Sequence, residues 1–160
     1  MPVFAERVFA VGAEGLGVLM AAAGVGSLLG SVTVAALAGF RRPAVLQLGV
    51  GVIFGAGLLG FALAPSFAVA VALLLVVGFA SAAYTAINNT LVLANAEPRL
   101  HGRVMSVYLI TFAVSPVAAL PMSWLADWLG APLTVAGGGL IVAAVVAGFA
   151  ALYPPYRNIR

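Results

Sequence analysis

The sequence predicts an all-α, polytopic membrane protein in which five helices cross the bilayer. Three observations carry this. Only 7% of the 160 residues are charged, against 64% hydrophobic, whereas a soluble domain carries about 25% charged residues. A chain this poor in charge cannot cover itself with water-compatible groups, so its solvent is lipid. The apolar text falls into five runs, each near the roughly 20 residues that a helix needs to cross a bilayer core. Every break between them carries Gly, Pro or charge, which stop and start helices. A β-barrel would show alternating segments of about 10 residues, and these runs do not alternate.

The first run, residues 13–38, is apolar apart from Glu14 at its edge. "GFRRP" separates it from the second, 44–64, and "APSF" separates that from the third, 68–95, which is apolar until Asn88. The stretch "NAEPRLHGRVMS" then gathers two arginines, one acid and the chain's one histidine. The fourth run, 103–129, has Asp127 near its end, and "LGAP" leads into the fifth, 132–153. Pro43, Pro98 and Pro132 sit where a first helical turn tolerates a missing N–H.

The charge pattern predicts orientation. The net charge of +3 comes from seven arginines and no lysine. They are scattered among apolar runs, which fits membrane orientation and not a nucleic-acid footprint. With five spans, one side receives Arg41, Arg42, Arg99, Arg103, Arg157 and Arg160, and the other receives Arg7 beside Glu6, Glu14 and Asp127. Short loops rich in Lys and Arg stay in the cytoplasm. A multi-pass protein of the cell membrane is therefore expected, with its N-terminus outside and its C-terminus cytoplasmic. No basic region followed by an apolar core and a cleavage site precedes Ala13, so the start does not read as a signal peptide. "MPVFAERVFAVGAEG" reads as an outer loop that follows another helix, and upstream chain is expected to be missing.

Four stretches carry a resemblance. They are "PVFAERVFAVGAEGLGVLMAAAGVGSLLGS", "GFRRP", "NNTLVLANAEPRLHGRVMSVY" and "SPVAALPMSWLADWLGAP". In this order they resemble the second half of a major facilitator superfamily transporter, from the loop after helix 7 through helix 12. More narrowly, they are similar to the siderophore-exporter and multidrug-efflux branch. The third stretch is the most specific, with its Pro–x–x–x–Gly–Arg–Val pattern. Helices 1 to 7 of that family have no counterpart in the chain. The resemblance implies two halves that rock about a substrate site near the midplane. This chain would supply most of one wall, for a small-molecule substrate that the sequence does not name. Half a clamp encloses no path, so export would need a missing N-terminal half or another membrane subunit. The alternative is a stand-alone small membrane protein that packs with or regulates a membrane partner.

Individual motifs have a functional and a plain reading. In "EPRLHGR", a helix turn begun at Pro98 would put Arg99 and Arg103 four apart on one face. The resemblance implies that Arg41, Arg42, Arg99 and Arg103 take part in a cytoplasmic charge network that holds one conformation; the plain reading is a solvated anchor. His101 has no Cys or second His beside it to build a metal site, and reads as a loop residue. "YTAINNT" is the most polar stretch inside a span. Tyr84 and Asn88 share a helix face, Ser81 and Thr85 lie close to it, and Asn89 points about 100° away. Ser81, Tyr84, Thr85 and Asn88 are thus candidates to line a substrate pathway as neutral hydrogen-bonders; the plain reading is packing between helices. Asn88–Asn89–Thr90 is formally a glycosylation sequon, set near the inner end of a span where glycosylation is not expected.

Pro116 and Pro121 interrupt the fourth span, and each removes a backbone hydrogen bond. They are candidates for a gating bend or for a static kink, with Thr111 and Ser115 placed to re-satisfy freed carbonyls. Trp124 and Trp128 flank Asp127 and put it at headgroup level. Ala22, Gly26 and Gly30 form one small-residue stripe, and Gly51 and Gly55 begin another; such spacing lets helix backbones approach. The glycines at 137–139 follow no strand and are not a dinucleotide loop.

Catalysis lacks its parts. Cysteine is absent and there is one histidine, which leaves no thiolate metal site and no disulfide framework. His101 and Asp127 are expected on opposite faces, so no Ser–His–Asp set forms. There is no Walker-type phosphate loop, and no cofactor is expected.

Overall fold

A computed structural model describes residues 9, 11–37 and 43–152, with the side chains of 111, 112, 115, 116, 118 and 151 left aside. Each expected segment is helical. The helices are α1 (Gly12–Ala36), α2 (Pro43–Ala62), α3 (Phe67–Ala94), α4 (His101–Leu129) and α5 (Ala131–Leu152), with a 3-10 turn at Pro98–Leu100. Their ends fall within two residues of the expected ones, and no strand occurs among the described residues. Four helices are long and apolar enough to cross a membrane: α1, α2, α3 and the segment Ala131–Ala150 of α5. At 29 residues α4 is the longest, about 44 Å at 1.5 Å per residue, and carries its charges near its two ends.

The helix ends follow local chemistry. Pro43 opens α2, where its missing N–H costs no helical bond. Ser66 caps α3 by accepting from the Val69 N–H. Between α4 and α5 stands one residue, Gly130, at φ 85° and ψ 149°. That backbone region is open to glycine and strained for other residues. Replacing Gly130 with Ala is expected to destabilise the fold by about 1 kcal/mol, read as an earlier unfolding midpoint in a detergent titration. An unchanged midpoint would show that the turn relaxes freely.

Packing orders the helices. α1 lies on α3, and α2 lies on both α3 and α5. One cluster joins Leu19 and Ala22 of α1 to Phe61 of α2 and to Ala70 and Leu74 of α3. A second joins Ala44 and Val50 of α2 to Ala80, Ala83, Ile87 and Leu91 of α3. The glycine stripes are the seams of this bundle. A Cβ built on Gly26 would overlap the Leu75 carbonyl, one on Gly30 the Phe79 carbonyl, and one on Gly78 the Ala23 carbonyl. The second stripe, with Gly139, forms the α2–α5 seam: a Cβ on Gly55 would lie 2.7 Å from the Ala143 nitrogen, and one on Gly139 2.8 Å from the Gly55 oxygen. Between α1 and α3 the Ser27 hydroxyl stands 2.9 Å from the Ala23 oxygen and 3.3 Å from the Gly78 oxygen.

α4 stands apart. It touches α5 and the start of its own segment, and meets α3 at few points. None of its described side chains is buried. Val107, Leu120, Trp124 and Trp128 are all more than half exposed. α4 runs as one helix through Pro116 and Pro121. Each proline lacks the N–H that the carbonyl four residues earlier would accept, which concerns residues 112 and 117. The side chains of Thr111, Ser115 and Pro116 lie outside the described residues, while Pro121 is exposed.

Candidate functional site

The polar face of α3 meets α2 and α5 at a cleft with two lobes. The smaller, about 200 Å³, is lined by Gly51 and Phe54 of α2, Ser81, Tyr84 and Thr85 of α3, and Val142 and Val146 of α5. The larger, about 310 Å³, is lined by Gln47, Leu48, Tyr84, Asn88, Val145, Val146 and Phe149. Tyr84 and Val146 belong to both lobes. Gly51 lies where they adjoin, since a Cβ there would come within 3.1 Å of a Val146 methyl and 3.4 Å of the Tyr84 ring. The structure thus gathers Ser81, Tyr84, Thr85 and Asn88 along one cleft wall, with no charged residue in either lining.

A row of hydrogen bonds crosses three helices at the wider lobe. Gln47, only 4% exposed, donates from Nε2 to Asn88 Oδ1 at 3.2 Å. Asn88 donates from Nδ2 to the Tyr108 hydroxyl at 3.4 Å. The row ties α2 to α3 and α3 to α4, so Asn88 both lines the cleft and bonds between helices. Amides in an apolar bundle take such partners because unpaired polar groups there are costly. Thr85 turns its hydroxyl back to the Ser81 carbonyl at 2.9 Å. The Ser81 and Tyr84 hydroxyls make no hydrogen bond among the described residues. Asn89 points elsewhere, and its Oδ1 is buried without a partner among the described residues.

Gln47 and Tyr108 were not singled out from sequence. Gln47 is the one glutamine in the chain, and a lone amide inside an apolar run is the signal that marks it. Tyr108 gave none, because an aromatic near a helix end reads as an interfacial anchor.

The charged stretch is local. α4 begins at His101, so Arg99 lies in the 3-10 turn and not on one α-helical face with Arg103. Arg99 pairs with Glu97 two residues away, both side chains exposed. Such a surface pair contributes little to stability. Arg103 is exposed, and His101 places Nε2 3.1 Å from the Ala96 carbonyl oxygen. Arg41 and Arg42 lie outside the described residues. Asp127 is exposed near the far end of α4, beside Trp124 and Trp128, whose rings lie 5.5 Å apart. Residues 137–139 lie within α5. No cluster of three metal-ligating side chains occurs among the described residues. Comparison with protein-family models, with curated proteins and with solved structures gives no match to this chain.

Proposed function

We propose that this chain is part of a secondary transporter that exports a small molecule by alternating access. One observation carries the reading: four polar residues of α3, with Gln47, collect in a charge-free cleft inside an apolar helical bundle. Polar side chains in such a setting mark substrate paths, and ligand sites lie between the helices of bundles. In this reading α4 is a fifth span, and the arginine-bearing breaks at residues 41–42 and 99–103 face the cytoplasm of a cell-membrane protein. Arg41, Arg42, Arg99 and Arg103 then form the inner charge network, and Pro116 and Pro121 give α4 its freedom to bend. Transport needs a second half, either upstream chain or another membrane subunit. α4, with no described side chain buried, is the helix left to meet it. The chemistry is passage and not catalysis.

The second reading, a small membrane protein that packs with or regulates a partner, is favoured by Asn88, whose amide is engaged on both sides by protein groups. The native mass separates the two. An antibody to the tail "YPPYRNIR" applied to source membranes should reveal a band roughly two to three times the 16.1 kDa of this chain if both halves are joined. A band near 16.1 kDa that co-purifies with no other membrane subunit would sink the transporter reading.

A further inference from the structure

The structure assigns ligand recognition in the cleft to the Tyr84 and Ser81 hydroxyls, and we infer that they take an uncharged, mainly apolar molecule bearing a carbonyl, hydroxyl or amide group. The inference rests on the reading of the cleft as a ligand path. Three features of the cleft support it.

The lining fixes the charge of the guest. Phe54, Val142, Val145, Val146 and Phe149 supply apolar walls, and no charged side chain lines either lobe. A cation or anion seated there would leave water without meeting an opposite charge. The described charges lie near the helix ends, at Glu14, Glu97, Arg99, Arg103 and Asp127. An uncharged guest exchanges lipid for these walls at no such cost.

The hydrogen bonds fix which protein groups meet the guest. Asn88 is already engaged at both ends of its amide, and Thr85 bonds its own helix. The Gln47–Asn88–Tyr108 row therefore holds the wall in place. Ser81 and Tyr84 are exposed residues of the cleft lining, and their hydroxyls make no hydrogen bond among the described residues. A hydroxyl donates and accepts, so these two can meet a carbonyl, a hydroxyl or an amide.

The size fixes the scale. The larger lobe, about 310 Å³, stands at the low end of the roughly 300–1,000 Å³ of ligand pockets. Because Tyr84 walls both lobes, one guest can lie against its ring and reach into each.

The test uses the whole polypeptide in phosphatidylcholine vesicles, titrated with Nile red, an uncharged dye that carries a carbonyl. The signal of protein-free vesicles is subtracted. Saturable binding is expected, with the Kd raised about fivefold when Tyr84→Phe and Ser81→Ala are combined. Ser81→Phe, which fills the smaller lobe, should raise it tenfold or more. The cationic dye ethidium should show no saturable binding. The absence of saturable Nile red binding would overturn the inference. So would a Kd indifferent to all these substitutions. Sensitivity to Ser81→Phe but not to loss of the hydroxyls would mean that the apolar walls alone hold the dye, and would overturn recognition by Tyr84 and Ser81. Ethidium binding as tightly as Nile red would sink the uncharged class while leaving transport standing. Transport fails on a different result: Nile red bound in the cleft, with no efflux that depends on the protein.

Discussion

Gly78→Ala is expected to separate α1 from α3 and to lower stability by about 3 kcal/mol. The added methyl would overlap the Ala23 carbonyl, which belongs to the backbone of α1 and cannot rotate away. Only movement of a whole helix relieves the clash, and that opens the cluster of Leu19, Phe61, Ala70 and Leu74. Gly26→Ala should behave alike, since its methyl would meet the Leu75 carbonyl. Gly17 and Gly24 provide the control, because a Cβ on either meets nothing within 4 Å. Alanine there is expected to be neutral or to stabilise by up to about 1 kcal/mol, through helix propensity alone. Unfolding by detergent titration reads all four. Equal effects at Gly78 and Gly24 would mean that the helices do not cross backbone to backbone.

Asn88→Leu should destabilise more than the double variant Gln47→Leu/Asn88→Leu. Gln47 is buried, so removing Asn88 leaves its amide short of one partner in an apolar setting, at a cost of about 1–2 kcal/mol. Removing both amides strands neither against the other, so the double variant should lose less than Asn88→Leu alone. The same unfolding titration, run as a double-mutant cycle, isolates the coupling. Additive losses would show that the two amides do not act as a pair.

The helices were legible because lipid leaves the chain few options. Every span needs a long apolar run, and Pro43, Pro98 and Gly130 punctuate those runs where local chemistry requires it. The shared face of Ser81, Tyr84, Thr85 and Asn88 was legible from helical spacing. What faced it was not, because nothing in the spacing of α3 says that Gln47 and Val146 lie opposite. The glycine stripes showed that backbones would approach, but not that Gly26 and Gly30 meet α3 while Gly55 meets α5. The shared helix face expected for Arg99 and Arg103 does not form, for a local reason. Pro98 can open either kind of turn, and here it opens a 3-10 turn that takes Arg99 off the α-helix. Tyr108 stayed hidden because its bond to Asn88 depends on how α4 leans on α3, a tertiary matter with no trace in the order of residues.

The most direct test of the account is dye efflux from cells that make the whole protein, native or Ser81→Phe, at equal membrane abundance. Efflux of an uncharged dye should fall, in the variant, to the level of cells lacking the protein. Efflux that is the same for native protein, variant and empty cells, across neutral and charged dyes, would contradict it.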